Sequence, residues 1–117
     1  MPTIRDLVAT LRRFDGVQAA AVLGRDGLLI DSDADAGIDN EQIAAHVPSI
    51  LQFCDDLGGA AQIGALQTAV LEHSDATVVV AGMSNEVVLL VLVRPEANIG
   101  ALLYDLRRHR AGLAALV

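Results

Sequence analysis

The chain has 117 residues, 53% hydrophobic and 20% charged, with 8 arginines, no lysine and 15 acidic residues for a formal net charge of -7. This profile predicts one small soluble domain spanning 1–117. Acidity, a pI near 4.6 and 3% aromatic content exclude nucleic-acid binding, which wants a positive groove and stacking rings. At 12.2 kDa, surface scaling predicts roughly 6,000 Å² accessible when folded against about 17,700 Å² unfolded, so a real core is feasible without disulfides or metal.

Thr3 precedes Ile4, Leu7, Val8, Leu11 and Phe14, which share one helical face, and Asp6 stands where a capping box places an acid. The spacing predicts a helix over about Ile4 to Phe14, ended by Asp15-Gly16. Val17 to Leu23 and Leu28 to Ile30 flank Gly24-Arg25-Asp26-Gly27, the signature of a β-hairpin. Asp31 to Gly37 is polar and small and reads as a loop. A second helix, Asn40 to Leu57, opens at Asp39 and carries Ile43, Val47, Ile50, Leu51, Cys54 and Leu57 on its apolar face, with Gly58-Gly59 as its stop. Pro48 lies inside it, so a kink or a division into two shorter helices is expected.

From Ile63 the pattern turns extended. Ala65 to Glu72, Thr77 to Ala81 and Val87 to Val93 read as a three-stranded meander joined at His73-Ser74-Asp75 and Ser84-Asn85-Glu86. The last of these is apolar at every position, which fits a strand covered on both faces, so the sheet is expected to be a middle layer with this strand near its centre. Asn98 then opens a final helix with Ile99, Leu102, Leu103, Leu106, Leu113 and Leu116 on one face. Charge is uneven: residues 1 to 58 carry 4 Arg against 10 acids, and 59 to 117 carry 4 Arg against 5.

Reactive constellations are scarce. Asp31, Asp33 and Asp35 sit at the first, third and fifth positions of a potential calcium loop, but Ala36 stands where the turn glycine belongs and Gln42 where the bidentate glutamate belongs. A solvated acidic loop is the better reading, with a metal or small-molecule sensor as the alternative. His46, His73 and His109 fall on separate elements and suggest no zinc set. His73-Ser74-Asp75 holds the letters of a triad without its convergence. Arg107, Arg108 and Arg110 suit the negative end of a helix, and Cys54 reads as a small hydrophobe of core or interface. No catalytic, cofactor or metal residues are assigned. Val87 to Val93, seven residues, is the longest aliphatic run, and a membrane span needs about 20. The single cysteine and the absence of a signal-peptide pattern at Met1 to Asp6 point to the cytoplasm. A mean hydropathy of +0.47 exceeds what so small a core accounts for and suggests self-association.

In element order and local signatures the chain resembles the Roadblock / dynein light chain family, which includes the bacterial MglB-type regulators. The residues carrying the likeness are Gly16-Val17, Ala20-Ala21-Val22 with Asp26-Gly27-Leu28, Gly64 with Leu66 and Val70, Leu89 to Leu92, and Asn98-Ile99-Gly100 followed by Leu103, Leu106 and Arg107. The resemblance implies an α+β sandwich of profilin-like layout: a five-stranded antiparallel sheet in the order 2-1-5-4-3, first and third helices on one face, second on the other. It implies a homodimer through the second helix and third strand, with Ile43, Val47, Ile50, Cys54, Leu66, Gln67, Thr68 and Val70 at the interface. It further implies a cytoplasmic, non-enzymatic regulator or adaptor for a Ras-like small GTPase, in a GTPase-activating or scaffolding role with no donated arginine. The alternative is a structural dimerisation subunit of a motor-associated or signalling complex. Separately, the acids along the second helix, Asp39, Glu41, Asp55 and Asp56, read either as a surface that steers a basic partner or as caps and a solvated face. Pro48 departs from the family pattern in the helix assigned to the dimer.

Overall fold

A computed structural model describes residues 3–108 and Gly112. The expectations for Leu113, Leu116, His109 and Arg110 lie outside the described residues. In chain order the elements are α1 (Ile4–Arg12), β1 (Val17–Gly24), β2 (Leu29–Ala34), α2 (Asn40–Ala44), α3 (Val47–Ala61), β3 (Thr68–Glu72), β4 (Thr77–Gly82), β5 (Val87–Val93) and α4 (Ile99–Arg108). The five strands form one antiparallel sheet, β2-β1-β5-β4-β3. β5 lies at its centre, as its unbroken apolar run requires.

Alternation along the strands divides the core into two layers. Ala20, Val22, Val79, Ala81, Leu89, Val91 and Val93 pack with Leu7, Val8 and Leu11 of α1 and Leu102 and Leu106 of α4. Ala21, Leu23, Val80, Val88 and Leu90 pack with Ala44 of α2 and Val47 and Leu51 of α3. Adjacent strand residues thus serve opposite layers.

Local chemistry sets the boundaries. The Thr3 hydroxyl accepts from the Asp6 amide at 3.2 Å and the Asp6 carboxylate from the Thr3 amide at 2.9 Å, completing the capping box of α1. That helix closes at Arg12, not Phe14, whose amide makes a tighter bond to the Leu11 carbonyl at 3.1 Å. Pro48 divides the expected second helix in two: it stands in the first turn of α3, where its missing N–H costs nothing. The hairpin turn seats against this break. A Cβ on Gly27, which has φ +90°, would lie 3.1 Å from Pro48 Cγ and 3.2 Å from the Ala44 carbonyl oxygen.

Three sequence expectations are corrected. α3 runs through Gly58-Gly59 to Ala61 and ends where Gln62 turns left-handed at φ 58°. Gly58 is needed for close approach, because a Cβ there would collide with the Gly64 carbonyl oxygen. β3 begins at Thr68, not Ala65, since residues 65–67 are occupied in returning the chain from α3 to the sheet. Asp31 to Ala34 is strand, not loop: the segment pairs with β1 from Ala19↔Ala34 to Val22↔Asp31. An edge strand half open to water tolerates acids that a central strand would not.

Val91 is wholly buried in β5. Replacing it with Asp would place an unpaired charge in the central strand at a cost of several kcal/mol, comparable to the whole stability of a small domain. Val91→Asp is expected to abolish the cooperative thermal transition followed by circular dichroism.

Candidate functional site

α3 turns Val47, Leu51 and Gly58 inward. Its outer side is not the polar surface that a solvent-facing helix normally presents. Phe53 is 75% exposed and Leu57 65%, and Ile63, just beyond the helix, is 74% exposed. Val70, on the edge strand β3, is exposed as well. Cys54, Leu57, Ile63 and Leu66 line one groove of about 300 Å³, with Arg107 of α4 at its rim. Side chains of this size gain about 1.5–3 kcal/mol each on full burial, so leaving them wet is a substantial unclaimed stabilisation.

Polar contacts fix the segments that carry these residues. The Ile63 amide bonds the Gly58 carbonyl at 2.9 Å and reverses the chain after the helix. Asp55 accepts from the Leu66 amide at 3.1 Å with one carboxylate oxygen and from Arg25 of the hairpin turn at 3.2 Å with the other. One acid therefore ties three segments distant in sequence. Both of its carboxylate oxygens are thus engaged within the protomer.

The expected interface residues fall into different environments. Val47 is 1% exposed and belongs to the protomer's own core, a correction to its expected place at an interface. Helical periodicity identifies an apolar position without saying whether the protomer itself consumes it. Ile43, Cys54 and Leu66 are half-buried at the margin of the layer beneath α2 and α3, and Ile50 is half-buried as well. Gln67 is exposed and precedes the strand, Thr68 opens it, and Val70 faces solvent. Phe53, Leu57 and Ile63 dominate the face, yet the interface expectation omitted them. Phe53 stands off the 47, 51, 54, 58 inward register, and one of only two phenylalanines in the chain at an outward helical position was the available signal.

Among the acids, Asp39 caps α2 by accepting from the amides of Glu41 at 3.1 Å and Gln42 at 3.3 Å. Glu41 is exposed, and Asp56 accepts from Gln52 at 2.9 Å on the solvent side of α3. Eleven acids and no arginine or lysine stand between residues 26 and 93.

The aspartates resembling a calcium loop are drawn instead onto α1. Arg12 reaches Asp33 at 2.9 Å, Asp35 at 2.6 Å and the Val17 carbonyl at 2.7 Å, while Arg5 reaches Asp31 at 3.2 Å. Hydrogen bonds to Asp35 and then Asp33 hold the Arg12 guanidinium pKa above its ordinary value. A raised pKa means the contact's contribution is complete below that ordinary value and lost only as pH rises beyond it, so it is constant through neutral pH. Among the described residues no three His, Cys, Asp or Glu side chains are arranged to hold a metal. His73 contacts the Leu71 carbonyl at 3.2 Å through Nδ1. No helix among the described residues is long and apolar enough to cross a membrane.

This architecture, a 2-1-5-4-3 antiparallel sheet between one helical layer of α1 and α4 and another of α2 and α3, is the Roadblock/LC7 fold. The chain superposes on the Roadblock/LC7 domain from Streptomyces avermitilis with a TM-score of 0.81 at 21% identity, covering 97% of this chain and 93% of that one. It is similar to MglB solved in a tetrameric arrangement, with a TM-score of 0.84 at 16% identity over 96% of this chain and 85% of that one. In sequence it is 28% identical over 108 residues to the uncharacterized protein MJ0714 of Methanocaldococcus jannaschii, covering 91% of this chain and 89% of that protein. No family model matches the sequence.

The contrast between neighbouring acids on α3 is testable. Asp55→Ala strands the Leu66 amide and removes the Arg25 contact, and is expected to lower stability by about 1–3 kcal/mol in urea unfolding. Asp56→Ala removes a surface contact and is expected to stay within about 0.5 kcal/mol of wild type.

Proposed function

We propose that the chain acts as a Roadblock-type domain that pairs with a second copy of itself through α3 and β3, and that the pair serves as a non-catalytic cytoplasmic adaptor for a Ras-like small GTPase. The observation carrying this reading is the apolar face of Phe53, Leu57, Ile63 and Val70 beside the outer strand of the sheet. A self-complementary patch beside the outermost strand of the sheet suits a two-fold interface, where the same residues meet their own copies. Ile43, Ile50, Cys54, Leu66, Gln67 and Thr68 flank this face and would complete its margin. The GTPase part rests on the family resemblance, supported by the shared fold. Asp39, Glu41 and Asp56 supply an acidic surface that would steer a basic partner and chiefly raise its association rate.

Self-association is tested by light scattering. Wild type is expected to be dimeric at micromolar concentration and Phe53→Asp with Leu57→Asp monomeric, both with native circular dichroism, because these side chains contribute little to the protomer core. A monomeric wild type would remove the mechanical basis of the proposal. Affinity capture from source-cell extract, with a non-hydrolysable GTP analogue and separately with GDP, tests the partner. Enrichment of a small GTPase with the analogue alone supports the adaptor; a dimer that retains no GTPase under either nucleotide favours a structural dimerisation subunit.

A further inference from the structure

We propose that the outer edge of β2 is a second interaction surface, built to take an extended peptide segment carrying lysine or arginine beside an apolar side chain. β2 lies at the opposite end of the sheet from β3. The Asp35 amide donates to the Gln18 carbonyl of β1 at 2.9 Å. Strand periodicity carries that inward direction to Asp33 and Asp31 and turns the backbone groups of Ser32 and Ala34 outward. The Ser32 amide bonds the Asp31 carboxylate at 2.9 Å instead of a neighbouring strand. This is an edge with ladder positions to offer, the arrangement used in strand addition.

Two grooves follow this edge and meet at Leu29. One, of about 470 Å³, is lined by Leu28, Ile30, Asp26 and Glu86 among others, and the second, of about 640 Å³, by Ser32, Ala34, Ile38, Asp39 and Glu41 among others. Leu28 is 70% and Ile30 52% exposed, so the first groove has an apolar rim at the start of the strand. The second groove is acidic. Asn40 also lines it and keeps its buried Oδ1 without a partner among the described residues. Among the described residues lining the two grooves the single cation is Arg25, already engaged with Asp55. Charge complementarity therefore selects an occupant: backbone bonds supply affinity along the edge, an apolar side chain covers Leu28 and Ile30, and a lysine or arginine answers Asp39 and Glu41. None of these residues belongs to the α3 and β3 face.

The test uses a short fluorescent peptide of alternating valine and lysine, with a valine and glutamate peptide as control, measured by anisotropy against the full chain. Wild type is expected to bind the lysine peptide at least about tenfold more tightly than the glutamate peptide. Amide shifts in the nuclear magnetic resonance spectrum are expected to concentrate on residues 28–34. Ile30→Lys, and separately Asp39→Asn with Glu41→Gln, are each expected to weaken binding about tenfold, while Asp75→Asn, an exposed acid in the β3–β4 turn that lines neither groove, leaves it unchanged. Should Ile30→Lys disturb folding, the more exposed Leu28→Ser replaces it. No binding by wild type, equal binding of the two peptides, or shifts centred on α3 and β3 would each overturn the proposal.

Discussion

The constraint on which the rest depends is that β5 has no polar side. Every position from Val87 to Val93 is aliphatic, so water must be kept from both faces of the sheet, and two helical layers are the minimum that achieves this. The flanking strands follow suit. β1 sends Ala20 and Val22 to one layer and Ala21 and Leu23 to the other, and β4 divides Val79 and Val80 in the same way. Small residues in β1 let the layers approach closely. With its centre so committed, the molecule can meet solvent and partners only along its two outer strands and the outer surfaces of its helices.

The two edges are handled by different physics. β2 carries acids held by arginines from α1, so the repulsion among three closely spaced carboxylates is offset within the protomer. The paired charges leave the strand polar and discourage indiscriminate pairing with another apolar edge. At β3 the exposed side chains are apolar: Val70 faces water, and the adjoining α3 adds Phe53 and Leu57. A surface of that composition is costly to leave wet, and association is the usual resolution. This asymmetry underlies the two proposals, self-pairing at β3 and a charged, extended partner at β2.

Asp55 links these regions. It joins the hairpin turn through Arg25 to the segment leading into β3 through the Leu66 amide. Gly27 docks on the α2–α3 break at Pro48, and Gly58 admits the Gly64 carbonyl against α3. The departure that Pro48 introduces is thus built into the packing: it starts a helix and seats a turn. A straight helix through residues 40–61 would not provide the same seat for the hairpin.

The order of elements, the central place of β5, the capping box at Thr3, the hairpin at Asp26-Gly27 and the break at Pro48 were legible in the sequence, because each depends on residues close together along the chain. The Roadblock/LC7 layout was legible for the same reason, through spacings that recur in order. What only the tertiary structure decided depends on neighbours far away in sequence. Asp31 to Ala34 becomes strand because β1 offers it a ladder and α1 supplies the cations. Asp55 becomes a tie because Arg25 and Leu66 arrive beside it. Val47 and Phe53 share one apolar helix, yet the first is buried by β-strand residues and the second faces solvent. Periodicity tells where apolar residues lie around a helix; only the packed neighbours determine which of them the protomer covers for itself.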